Sequence, residues 1–235
     1  MFGVGLGVVA TCVAAYYGVP CVYTLMVRRR LRRRTRLKNA VVLTFDDGPG
    51  EGLTPAILSV LREHGCTASF FVPGRNVWGR EQIVRRIVEE GHDICSHGYD
   101  HLDHWRTSPL RSIADIKAGW RALDAVLGVA RGTYPFRPPY GRLNLASLLF
   151  LWWRRVPICL WTIDSGDTPA RSKLPGAGWC AGEVAARGGG VLLYHDFERR
   201  RSHTQEYVLG SLVAVLRGTS RNMLTCRPMS DLWDK

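Results

Sequence analysis

The sequence predicts one parallel α/β domain closed into a barrel, preceded by a single N-terminal membrane-spanning helix. Three observations predict it. Short β-branched apolar runs alternate with stretches of helical periodicity from residue 39 to residue 235, the alternation of βα units. Polar clusters fall where those runs end, which is where parallel barrels carry their chemistry. The first 27 residues hold no charged side chain and a basic run follows at once. At 235 residues, 46% hydrophobic and 22% charged, the chain has an ordinary globular composition, which excludes collagen, coiled coil and disorder. The stretch 39–235 reads as one domain without internal linker or repeat.

Taken in order, the uncharged stretch 1–27 would run about 40 Å as a helix, enough to cross a bilayer. It reads as an anchor rather than a cleaved signal peptide, because no basic region precedes it. Tyr16, Tyr17 and Tyr23 are candidate interfacial aromatics, and Pro20 is positioned to kink or shorten the span. Residues 28–38 hold eight Lys or Arg and no acid. The positive-inside rule makes this a juxtamembrane flank on the cytoplasmic side, with the rest of the chain cytoplasmic and the protein a single-pass component of the inner (cytoplasmic) membrane.

Ala40 to Phe45 reads as a buried strand stopped by Asp-Asp-Gly-Pro. Leu53 to His64 is a helix, with Thr54 as a candidate cap and Gly65 as its stop. Ala68 to Val72 is the second strand, Arg80 to Glu90 the second helix, and Asp93 to Cys95 opens the third strand. Helical spacing returns over Ser112 to Leu127. Leu143 to Trp153 is a strongly apolar helix, read as part of the barrel wall in preference to a segment dipping into a lipid interface. Pro157 to Ile163 and Gly190 to Tyr194 complete the strands.

The net charge of +12 loses its nucleic-acid meaning once mapped, since the basic run supplies eight of those charges; the remaining excess is too small for phosphate-backbone binding, and no nucleic-acid partner is expected. Seven scattered cysteines without a C-x-x-C pair form neither a disulfide framework nor a zinc ribbon, and they favour a reducing compartment.

Asp46 and Asp47 end the first strand, where a plain turn is an equally good reading of Asp-Asp-Gly-Pro. His97 and His101 stand four residues apart, and with one aspartate they supply the three protein ligands of a catalytic metal site, leaving positions for water and substrate. His195 follows a buried strand and points to the same rim, placed to donate a proton. Pro138 and Pro139 stiffen the loop that carries Arg137 and the Tyr140 amide. Asp164 and Asp167 are candidates to orient Arg137 or His195.

Thr44-Phe45-Asp46-Asp47-Gly48-Pro49, His97-Gly98-Tyr99-Asp100-His101, Arg137-Pro138-Pro139-Tyr140-Gly141, Asp164-Ser165-Gly166-Asp167 and Leu193-Tyr194-His195-Asp196 resemble, in order, the five motifs of the polysaccharide deacetylase family, carbohydrate esterase family four. The resemblance spans nearly all of 40–235. It implies a distorted (β/α) barrel that hydrolyses the N-acyl, usually N-acetyl, amide of amino sugars with a divalent metal, commonly Zn²⁺. It further implies that Asp47, His97 and His101 hold the metal and that Asp46 is the base, oriented by Arg137. On the same resemblance His195 protonates the leaving amine, the Tyr140 amide helps hold the oxyanion, and Asp164 and Asp167 tune the site. The resemblance also implies that Leu193, with Pro139, belongs to the wall that meets substrate. Two positions depart from the motifs. Gly98 stands where Ser or Thr is common, removing a hydrogen bond that fixes the loop, and Thr168 stands where Trp is common. His64, His92, His104 and His203 match no motif and are expected to be surface or satisfied polar residues.

The expected function is metal-dependent deacylation of an N-acylated amino-sugar glycan or glycolipid, with a lipid-linked precursor at the cytoplasmic membrane face fitting the anchor. The alternatives are an outward-facing cell-wall deacetylase and a non-catalytic carbohydrate-binding barrel.

Overall fold

The structure is a computed structural model describing residues 2–168, 174–197 and 202–233, with the side chains of 2–12 and 202 left aside. Its elements are α1 (Phe2–Leu37), β1 (Ala40–Asp46), α2 (Leu53–Glu63), β2 (Ser69–Val72), α3 (Glu81–Glu89), β3 (Asp93–Ser96), α4 (Pro109–Leu127), α5 (Leu145–Trp153), β4 (Ile163–Asp164), α6 (Trp179–Arg187), β5 (Gly190–His195), α7 (Ser202–Arg221) and β6 (Thr225–Cys226). Short 3₁₀ turns at Gly74–Asn76, Pro139–Gly141 and Met229–Leu232 complete them.

The strands are ordered β3-β2-β1-β5-β4, with β6 beside the start of β1, and every pairing is parallel. Parallel bridges from Ser96 to Phe136 and from Phe136 to Ile158 carry the pairing past β3. The segment 158–164 therefore touches Phe136 at one end and β5 at the other, closing the ring. The sequence predicts a full strand over 157–163, but only its last residue enters β4. Thr162 keeps one backbone rung, its N–H donating to the Val191 carbonyl at 2.9 Å, while its hydroxyl accepts the Val191 N–H at 2.9 Å, so a side chain stands in for the second backbone acceptor.

Alternation along the strands sorts two cores. Val41, Leu43 and Phe45 of β1 lie with Phe70, Leu192 and Tyr194 in the cluster under the helices, where the Phe45 ring stacks on Phe70 and Tyr194 at 5.0 and 5.7 Å. Val42, Phe71, Cys95, Cys159, Leu160 and Val191 form a second cluster, joined by Met229, Leu232 and Leu31 of α1.

That last residue corrects the expected anchor. Among the described residues no helix is long and apolar enough to cross a membrane. The helix continues through the basic run, and its second half packs on the barrel. Leu31 and Thr35 are buried, the Arg28 guanidinium lies 4.4 Å from the Trp161 ring centroid, and Arg34 donates to the Leu232 carbonyl. The single-pass inner-membrane location and the cytoplasmic placement of the domain, both drawn from that span, fall with it. In residues 28–38 one face packs on the barrel through Leu31 and Thr35, while Arg29, Arg30, Arg32, Arg33, Arg36 and Lys38 stay exposed.

One further expectation changes. Thr54 does not cap α2, whose N-cap is Gly52; its hydroxyl instead accepts the Gly50 N–H at 2.8 Å. On α5, Leu148, Phe150 and Leu151 are buried while Leu149, Trp152 and Trp153 are exposed.

Candidate active site

The register of the sheet builds the site. In the parallel ladders Asp46 stands opposite His195 on one side and Phe71 on the other, so Thr44, Asp46, Leu193 and His195 share one face at the ends of their strands. The loop after β3 carries His97 and His101, and the loop around Arg137 follows the Phe136 bridge.

Asp47 Oδ1 lies 3.6 Å from His97 Nε2 and 3.2 Å from His101 Nε2, and the three ligating atoms lie within 4.8 Å of one another. His97 Nδ1 donates to the Arg137 carbonyl at 2.7 Å, leaving the Nε2 lone pair to face the group. Burial keeps both imidazoles neutral: His97 is lowered to about 4 against the pull of Asp47, and His101 to about 4 by burial and by His97. One carboxylate and two neutral imidazoles with an open side suit a catalytic divalent cation.

Asp46 is 3% exposed. The fully buried Arg137 donates from Nη1 to Asp46 Oδ1 at 2.6 Å and to Thr44 Oγ1 at 2.9 Å, with its plane over the Phe71 ring at 3.8 Å. Burial raises Asp46 to about 6, against Arg137 and His195, which both lower it.

The two acids of the fourth motif separate. Asp167 holds His195, taking its ring Nδ1–H and its backbone N–H, each at 2.8 Å. Burial alone would lower His195, but the Asp167 carboxylate outweighs it and the imidazole rises to about 9. Asp164 instead accepts the Gly166 N–H at 2.9 Å and shapes the turn. Tyr140 is exposed in a left-handed conformation with φ 57°, its ring edge-on to His101 at 4.8 Å. Pro139 and Leu193 are buried beside these groups.

Several supporting residues escape a reading of the motifs. Asp196 accepts the Gly48 N–H at 3.1 Å and the Thr54 hydroxyl at 2.6 Å, so it ties the turn after Asp47 to the end of β5. Its carboxylate fills the space where a Cβ on Gly48 would stand, 2.2 Å away. The one available signal was its position next to His195. Asn76 donates to the Asp47 carbonyl at 2.7 Å, and Asp115 of α4 accepts the Asp100 N–H at 2.7 Å; both come from outside the motifs and leave no local trace. His64 and His203 are exposed, and His92 accepts the Ala68 N–H. His104 differs from expectation: it is fully buried against Phe136 at 5.9 Å, and among the described residues neither ring nitrogen has a hydrogen-bond partner.

A family model for polysaccharide deacetylases matches residues 33–150, half of the chain. The chain belongs to the polysaccharide deacetylase family. A chitooligosaccharide deacetylase of Sinorhizobium fredii is 47% identical over 159 residues, 67% of this chain and 72% of that protein. The peptidoglycan-N-acetylglucosamine deacetylase of Listeria monocytogenes is 31% identical over 183 residues, 76% of this chain. This deacetylase-family chain spans 37% of the Listeria protein's length. A solved peptidoglycan N-acetylglucosamine deacetylase superposes with a TM-score of 0.75 at 24% identity, covering 84% of this chain and 89% of that one; it shows that the two folds are alike.

Proposed function

We propose that the chain hydrolyses the N-acetyl amide of N-acetylglucosamine residues in a β-linked glycan of the chitin or peptidoglycan kind, with Zn²⁺ on Asp47, His97 and His101. One observation carries this reading: a triad able to hold a metal, a buried carboxylate clamped by an arginine, and a histidine clamped by a second carboxylate all meet at one rim of the barrel. The relatives' named substrates supply the sugar. A lipid-linked precursor loses its motive, because among the described residues no helix is long and apolar enough to span a membrane.

A cation at the triad supplies Lewis acidity toward the acyl carbonyl and toward attacking water. Asp46 takes the proton of that water. Its poise near 6 leaves it ionised at neutral pH yet basic enough to accept, and Arg137 fixes the carboxylate in line. His195, kept protonated by Asp167, delivers a proton to the departing amine so that it leaves neutral. The Tyr140 amide serves the oxyanion, and Leu193 and Pro139 meet the acyl methyl. Ionised Asp46 and protonated His195 coexist because Arg137 and Asp167 give each its own counter-ion.

The test is acetate release from chitin oligosaccharides and from N-acetylated peptidoglycan fragments by the zinc-loaded protein. Asp46→Asn and His195→Ala should each lower kcat/KM about 100- to 10,000-fold while retaining stoichiometric zinc. Absence of acetate release by the wild-type protein from any such glycan would favour the non-catalytic barrel. Loss of zinc in Asp46→Asn would make Asp46 a ligand, not the base.

A further inference from the structure

The second motif lacks its usual hydroxyl residue, with Gly98 in that place, yet the loop from His97 to His101 is pinned at successive backbone groups. Val72 accepts the His97 N–H at 3.0 Å, and the carbonyls of Gly98 and Tyr99 accept from Gly74 and Arg75 at 2.8 and 3.2 Å. The Gly98 N–H donates to the Ser96 hydroxyl at 3.3 Å, and a further anchor comes from a different element. Asp115, on α4 and 5% exposed, accepts the Asp100 N–H through Oδ1 at 2.7 Å. Its other oxygen, Oδ2, lies 2.3 Å from where a Cβ on Gly98 would be. The absent side chain and the carboxylate thus occupy one space. Gly98 also sits at φ +77°, a conformation that disfavours any residue with a Cβ.

We propose that Asp115 replaces the missing hydroxyl of the second motif from across the fold, and is the positioning residue that holds the His97–His101 loop in metal-binding geometry. Gly98 is then required to be small so that Asp115 can reach the loop. Asp115 touches neither substrate nor the ligating atoms. It acts by fixing the Asp100 amide, one residue before the ligand His101, and through it the separation of the two imidazoles. The inference rests on Asp47, His97 and His101 binding zinc, as proposed above.

The test is zinc affinity, read by competition with a chelating dye, so that catalysis is not needed. Asp115→Ala should weaken zinc 10- to 100-fold, the usual consequence of losing a group that orients a ligand, with far-UV circular dichroism unchanged. Asp115→Asn keeps an acceptor oxygen for the Asp100 N–H and should stay within about threefold of wild type by the same reasoning. Gly98→Ala should weaken zinc in the wild-type background and by clearly less in Asp115→Ala, since the clash is then gone. Wild-type zinc affinity in folded Asp115→Ala overturns the proposal, as does equal weakening by Asp115→Asn and Asp115→Ala, or strict additivity with Gly98→Ala. Where Asp115→Ala does not fold, a large loss in folded Asp115→Asn overturns it instead. A wild-type protein that binds no zinc overturns the metal reading itself, a distinct result.

Discussion

His195 shows how one neighbour sets a residue's chemistry. Burial favours the neutral imidazole, but Asp167 at 2.8 Å raises the group to about 9. A histidine acting as an acid must be protonated, so activity is present below this value and is lost as pH rises through it. The basic limb of kcat/KM is therefore expected near pH 9. Asp167→Asn removes the largest raising charge and leaves burial opposed only by Asp46 and Asp47, so the limb should move down toward the ordinary histidine value of about 6.5. A pH–rate profile of the two proteins checks this, and a limb that stays near 9 in the variant would remove His195 from the role of proton donor. At this scale the sequence displayed Asp46, Asp47, His97, His101, Arg137, Asp167 and His195, because each sits in a short turn at a strand end where neighbours in sequence stay neighbours in space. It could not divide Asp164 from Asp167, which are three residues apart in one loop and turn to different partners. Asp115 and Asn76 were invisible, since their hydrogen bonds join segments that no local pattern relates.

At the scale of elements, strands and helices from β1 to α5 follow the apolar periodicity closely, since each buries a face that the spacing of its residues displays. The exceptions are physical. The segment 157–163 has the composition of a strand, but beside Val191 it keeps one backbone rung from the Thr162 N–H and takes the Val191 N–H with a hydroxyl in place of a carbonyl. An uncharged run before a cluster of arginines signals a helix correctly, while saying nothing of what covers it. For α1 the partner is the barrel itself: Leu31 is 6% exposed and belongs to the same cluster as Val42, Phe71 and Val191. Leu31→Ala should therefore cost about 2–5 kcal/mol, read as a lowered urea midpoint with an unchanged slope. A helix that stood away from the barrel would give no measurable change.

For the whole molecule, the ring of strands brings together groups from β1, the loop after β3, the Arg137 loop and β5 that are distant in the chain. A ligand bridging Asp47 to His97 and His101 therefore holds the folded chain only, because the unfolded chain does not present the three together. Zinc held there, as proposed, would add to stability by mass action: at free zinc a hundred times the dissociation constant the gain is about 2.7 kcal/mol. For a domain of this size that corresponds to a rise in Tm of about 5–10 °C. Chelation should remove this increment and re-addition of zinc restore it, as followed by differential scanning calorimetry. His97→Ala and His101→Ala should each abolish the zinc-dependent rise, and Asp46→Asn should preserve it. The sign of the pH dependence follows from the ligands. His97 and His101 bind metal only when neutral, and burial holds both near 4, so the zinc increment should persist to a pH well below the ordinary histidine value before protons displace the cation. An increment that already vanishes near pH 6.5 would mean that the imidazoles titrate as exposed groups and that the buried triad does not hold the ion.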